Sequence, residues 1–230
     1  MPPRRNPTPL PRTPLQDGFS LIELLAAIAI VSILGALVTV SLQNIRNSSQ
    51  LAKSISIIRQ FQGANSLYAL EHSGRYVPVR TISEEGTIKR WLDQHEFKEH
   101  LGIQMGEEWP LGLISPNAGV LDDDGRPRFT RSYGMNTLGF SDWFNVEADY
   151  QASISTIEDP ANIIAFTDAL DWIVGPQGIE RWPGEEVYAK QAVAFRYGGK
   201  ATVVFYDGHT GAYTQEEMTE HKKEWWKIDK

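Results

Sequence analysis

The sequence contains no cysteine. Disulfides, thiolate catalysis and cysteine-based zinc or iron–sulfur sites are therefore excluded, and the absence is compatible with either cytoplasm or periplasm. It lacks a sustained Lys/Arg stripe, and its net charge is −7 at pH 7, so no nucleic-acid surface is expected. It also lacks a Ser–His–Asp set at a recognisable spacing. Residues 24–42 lack any charged side chain, and their polar relief is limited to Ser32, Thr39 and Ser41. Proline is missing from that run, although six prolines accompany Arg4, Arg5 and Arg12 just upstream, in a segment unsuited to helix. A mean hydropathy of −0.32 with 41% hydrophobic residues describes a globular chain with a single apolar insert. The chain beyond the insert has the size of one ordinary domain.

What is present starts with that insert. About 19 apolar residues at 1.5 Å each span roughly 28 Å, close to the hydrocarbon thickness of a bilayer. A secretory signal peptide needs a shorter apolar core and a small-x-small cleavage site after it, and none follows Leu42. A plain signal anchor accounts for the length and for the basic flank, which sets orientation. It does not account for Glu23, whose burial in hydrocarbon costs about 2.5–3.5 kcal/mol unless the carboxylate has a partner.

The residues Gly18-Phe19-Ser20-Leu21-Ile22-Glu23-Leu24-Leu25 resemble the prepilin signature of type IV pilins and type II secretion pseudopilins. The resemblance implies a cut after Gly18 by a prepilin peptidase, N-methylation of Phe19, and Glu23 as the fifth mature residue. In that family this acid pairs with the N-terminal amine of a neighbouring subunit, and unlike charges in low dielectric attract strongly. Two features depart from the common pattern. Gln16 and Asp17, not a basic residue, precede Gly18, and the apolar helix carries Gly35 but no proline. Cleavage would remove three arginines and one aspartate, lowering the net charge by two units from −7.

The helical pattern continues beyond the apolar run. Leu51, Ile55, Ile58, Phe61 and Leu67 or Tyr68 form one stripe, with Gln50, Lys53, Arg59 and Gln60 opposite. Gly74 is the expected C-cap. One helix over residues 21–72 would be about 78 Å long; the alternative is two helices with a break at 44–49. The organisation expected is a leader over 1–18, a transmembrane and assembly helix over 19–42, its amphipathic continuation over 43–73, and a soluble domain over 74–230.

Within that domain, residues 87–100 carry Ile88, Trp91, Leu92 and Phe97 at helical spacing, which predicts a short helix. A Pro- and Gly-rich loop over 106–125 contains Asp122, Asp123 and Asp124 before Gly125. Adjacent carboxylates before glycine suit a calcium loop or an acidic surface turn, and major pseudopilins bind calcium in a C-terminal loop. No other cofactor is implied. Gly134 and Gly139 supply turns, with Trp143 and Phe144 packing beneath a loop. Residues 163–166 read as a buried strand, and Asp168 and Asp171 after it as turn or surface positions. Residues 192–197, 200–206 and 209–213 read as a meander joined by Gly198-Gly199 and Asp207-Gly208, dipeptides suited to type I′ turns. This segment resembles prepilin-like proteins with a C-terminal His-x9-Asp-Gly motif, with Tyr197 at the histidine position. His209, beside Asp207, reads as a strand residue rather than a ligand. Thr214 and Glu217 form a capping box for a last helix carrying Met218, His221, Lys222 and Trp225.

The resemblance thus implies an α+β fold, with a long N-terminal helix packed on an antiparallel β-sheet domain. The implied function is a non-enzymatic structural subunit assembled into a periplasmic pseudopilus or type IV pilus-like fibre, for protein secretion. Its partners would be the prepilin peptidase, other pilin or pseudopilin subunits, the inner-membrane assembly platform and the membrane itself. The chain would sit once in a bacterial inner membrane, its C-terminal domain periplasmic. A membrane-anchored enzyme or ligand-binding domain, and a minor tip pilin, are the alternatives.

Overall fold

The computed structural model describes residues 20–82, 86–119, 128–138 and 151–226. Asp122, Asp123, Asp124, Gly139, Trp143 and Phe144 lie outside these residues. Two compact units divide the chain, Met1–Asn44 and Ile45–Lys230.

Helix α1 runs from Leu21 to Glu71, 51 residues without a proline. It is continuous through residues 44–49, so the two-helix alternative falls. It ends where Ser73 and Gly74 turn left-handed, with φ of 56° and 81°. There the Gly74 N–H donates to the Ala69 carbonyl at 2.8 Å, satisfying one of the open carbonyls of the last turn. Gly74 is the expected cap, and Tyr68, not Leu67, completes the buried stripe.

In the second unit, β1 (Arg80–Ile82) pairs antiparallel with β2 (Ile88–Arg90). The main sheet has five strands in the order β5 (Ile173–Val174), β3 (Tyr133–Asn136), β4 (Ile164–Asp168), β6 (Lys200–Phe205) and β7 (Thr210–Thr214). All neighbours are antiparallel except β5, which runs parallel to β3. Alternation along the strands separates two buried layers. Tyr133, Met135, Phe166 and Val204 share a core with Ile57, Ile58, Phe61 and Tyr68 of α1. Ala201, Val203 and Phe205 share the other with Val193, Phe195, Met218 and Trp226. An irregularity in the β4–β6 register between Ile164 and Phe166 lets Ile164 join the second layer while Phe166 serves the first. Phe61 is the centre of the first layer. The rings of Trp91, Trp109, Phe129, Tyr133 and Phe166 stand 5.3–6.2 Å from it, in the range where tilted aromatic pairs attract.

Three local expectations change. The helix over 87–100 is divided: β2 leads into a 3-10 turn, Trp91–Asp93, and only His95–His100 forms a helix, α2. Trp91 fixes the break, because its backbone N–H donates to the Val79 carbonyl and its indole N–H to the Trp172 carbonyl. Residues 192–197 form a single bridge, Val193 to Ala169, not a strand. Their backbone groups are divided between Asp168 and Leu170 on one side and Gly178 on the other. A Cβ at Gly178 would meet the Gln191 carbonyl oxygen, so this close approach needs glycine. Gly198 and Gly199 do both adopt positive φ, as a type I′ turn requires, with Tyr197 and Lys200 doubly bonded across it. At Asp207-Gly208 only Gly208 does, so that hairpin closes through a type I turn and a glycine bulge. Helix α3 (Gln215–Glu220) carries the expected Thr214–Glu217 capping box.

Candidate assembly helix and buried carboxylate cluster

The described part of the first unit is an uncharged helix. Residues 24–44 carry no charge, and these 21 residues extend about 32 Å as helix, enough to cross the roughly 30 Å hydrocarbon layer. Leu21 is 86% exposed and Leu37 62%. An apolar surface of that extent is unfavourable in water and requires lipid or protein around it. The hydroxyls within the run do not oppose this. Ser32 donates to the Ile28 carbonyl at 2.7 Å and Thr39 to the Gly35 carbonyl at 2.6 Å, so both are satisfied inside the helix. Glu23 lies in the first turn, where its Oε2 accepts the Ser20 N–H at 2.9 Å. A carboxylate there satisfies an otherwise open donor and complements the positive end of the helix dipole. Gly18 and Phe19 lie outside the described residues.

The second unit contains a cluster centred on Asp168. This aspartate ends β4, and its side chain is fully buried, not at the surface as expected. Oδ2 accepts the Thr202 N–H at 2.8 Å and the Thr202 hydroxyl; Oδ1 accepts the Ser115 hydroxyl at 2.9 Å and an Arg196 N–H at 3.3 Å. Two relays of hydroxyls converge on it. Ser54 of α1 lies 2.9 Å from both the Tyr133 and Thr202 hydroxyls, and Ser115 lies 2.7 Å from the Tyr197 hydroxyl. Burial pushes the Asp168 carboxyl up, opposed by the Arg196 guanidinium and the Thr202 and Ser115 donors. Burial, with the neighbouring carboxylate, also raises the Tyr133 and Tyr197 phenols. Arg196 is fully engaged: Glu186 accepts from it at 2.8 and 3.0 Å, and the carbonyls of Arg131, Ser132 and Ala169 accept at 2.6, 2.6 and 3.0 Å. With every polar group partnered, the cluster is a joint that ties α1, β3, β4, β6 and the segments at 115 and 196 together.

Sequence reasoning flagged Asp168 and Tyr197 but missed Ser54, Ser115, Arg196 and Thr202. For Ser54 a signal existed: it stands four residues before Ile58 and seven before Phe61, a polar residue on the inward stripe. Asp171 is also buried, and burial raises its carboxyl against backbone bonds from Gln191 at 2.9 Å and Trp172 at 3.0 Å. His209 is not drawn to either aspartate. Its Nδ1 lies 2.7 Å from Asp207 and its ring stacks on Phe205, at the exposed β6–β7 turn. Among the described residues no group of three or more His, Asp or Glu is placed to hold a metal ion.

No curated protein and no solved structure matches the chain. Residues 14–39 match the sequence family described as the prokaryotic N-terminal methylation motif. That segment spans Gly18, Phe19, Glu23 and most of the uncharged run, and through it the chain is prepilin-like.

Proposed function

We propose that this protein is a pilin-like structural subunit rather than an enzyme. A prepilin peptidase cuts it after Gly18 and methylates the new Phe19 amine. Until assembly, α1 crosses the inner membrane once, with the second unit in the periplasm. Assembly then withdraws the helix from lipid and packs it among those of other subunits in a pseudopilus or pilus-like fibre, with protein secretion as the favoured purpose. The observation that carries this reading is an exposed, uncharged run with a single carboxylate at its start. In hydrocarbon Glu23 needs a cation, and the amine of a neighbouring subunit's Phe19 supplies one. The residues on the exposed stripe satisfy either surrounding, lipid before assembly and protein after it.

The test is the mass of the N-terminal peptide from membranes of cells with and without the peptidase. A chain beginning at N-methylated Phe19, present only with the peptidase, is expected. An intact leader in peptidase-positive cells would overturn the proposal.

A further inference from the structure

Residues 24–70 of α1 carry no acid, in a chain whose net charge is −7. Their only charges are Arg46, Lys53 and Arg59, all exposed. Arg59 is held against the sheet, where it donates to the Thr210 hydroxyl at 2.8 Å. Arg46 and Lys53 differ from it. Neither side chain has an ion pair or a hydrogen bond among the described residues. On α1 the nearest acids, Glu23 and Glu71, are about five turns or more away from either.

The two cations share one side of the helix. Seven residues are just under two turns, so they differ by about 20° around the axis and about 10.5 Å along it. Gln43 and Gln50 lie on the same side and add amide donors to the row. Their height along α1 is informative. The uncharged run ends at Asn44, and Arg46 follows by two residues, about 3 Å of rise. Lys53 lies about 13.5 Å past the same end, and its four-carbon stem reaches back by about half of that. The polar headgroup layer is about 5–8 Å thick on each side of the hydrocarbon. A helix whose uncharged run fills the hydrocarbon therefore holds both cations at headgroup depth.

We propose that Arg46 and Lys53 clasp the phosphate of an anionic phospholipid where α1 leaves the bilayer, an inference that rests on the reading of α1 as a membrane span. The guanidinium gives two parallel bonds to phosphate oxygens, the ammonium adds a point charge, and the two glutamines donate to the oxygens that remain. Depth selects the occupant, because phosphate is the anion of the layer that Arg46 enters, and a negative lipid surface attracts such basic residues. The clasp fixes the height of α1 before assembly. Withdrawal of the helix breaks it, so anionic lipid opposes that step.

The test uses the full chain in detergent micelles, mixed with equal amounts of phosphatidylglycerol and phosphatidylcholine, with the lipid retained by the protein counted by mass spectrometry. Near an anionic surface each basic residue is worth about fivefold in preference. Wild type should retain phosphatidylglycerol over phosphatidylcholine by about fivefold or more, and the double variant Arg46→Gln, Lys53→Gln should retain the two equally. Equal retention by wild type, or an undiminished preference in the variant, overturns the proposal. A preference that inorganic phosphate abolishes, where chloride of equal ionic strength does not, reassigns the pair to a free anion and also overturns it. So does a variant that changes only self-association, which would make the partner a second copy. Should the variant not fold, wild type at rising salt decides: a preference that shrinks is expected, and one unchanged by salt refutes the charge contact. Flotation of wild type with pure phosphatidylcholine vesicles tests the membrane reading by itself. Absence of flotation sinks that reading, whereas flotation with equal lipid retention sinks the clasp alone.

Discussion

Asp168→Asn removes one charge and converts one oxygen into a donor, in a side chain that makes room for neither change. Four donors converge on the carboxylate: the Thr202 N–H and hydroxyl, the Ser115 hydroxyl and an Arg196 N–H. If the asparagine amide group takes the Oδ2 position, it confronts the Thr202 N–H. If it takes the Oδ1 position, it confronts the guanidinium. Removing one partner of a buried ion pair costs about 3–5 kcal/mol when the other charge is stranded. Arg196 is not stranded here, because Glu186 and three carbonyls still hold it. The expected loss is therefore at the lower end, about 3 kcal/mol. For a domain of this size that lowers the melting midpoint by about 6–12 °C.

Guanidinium unfolding of the full chain in micelles, followed by tryptophan fluorescence, measures it, since Trp91 and Trp226 are both buried in the second unit. Thr202→Val is the graded comparison. It deletes the hydroxyl that donates to Asp168 and meets Ser54 and keeps the backbone N–H, so about 2 kcal/mol is expected. A loss within about 0.5 kcal/mol for Asp168→Asn would refute the reasoning. Asparagine is nearly the shape and polarity of a protonated aspartic acid, so such a result would mean that Asp168 is neutral in the native protein.

Glu23→Ala should be inserted and processed but assemble poorly, read as fibre recovered by shearing; normal fibre yield removes the pairing with the Phe19 amine. Glu217 is held below the usual carboxylate range by the Thr214 backbone N–H that it accepts and by the Thr214 hydroxyl. A depressed carboxyl contributes stability that is present above its unfolded value of about 4.3 and is lost as the pH falls through the folded one. Acid should therefore fray α3, and Glu217→Gln should abolish that acid limb in the fluorescence of Trp225 and Trp226; an unchanged limb assigns the transition elsewhere. Calorimetric titration of calcium into the full chain should give neither heat nor a thermal shift if Asp122, Asp123 and Asp124 form an acidic turn, and saturable heat would make them a calcium loop.

What the sequence revealed, and what it hid, depends on where each residue finds its partners. Helix α1, the capping box at Thr214 and the glycines at 74, 198 and 199 are legible because their causes lie within a few residues. Apolar spacing, an open N–H and a positive φ are local demands. Glu23 is legible for the same reason, as an acid before an uncharged run whose oddity shows without any structure. Asp168 reads as a surface position because nothing adjacent announces its partners. Ser115 is 53 positions away, and Ser54 is 148 from the Thr202 that it touches. Residues 192–197 carry the alternation of a strand and still form no ladder, because Asp168, Leu170 and Gly178 have already claimed their backbone groups. In both cases the environment is made by the packed sheet. Burial then reverses the meaning of the residue: a carboxylate that looks like a solvated turn becomes the acceptor for Thr202 of β6, whose hydroxyl leads through Ser54 of α1 to Tyr133 of β3.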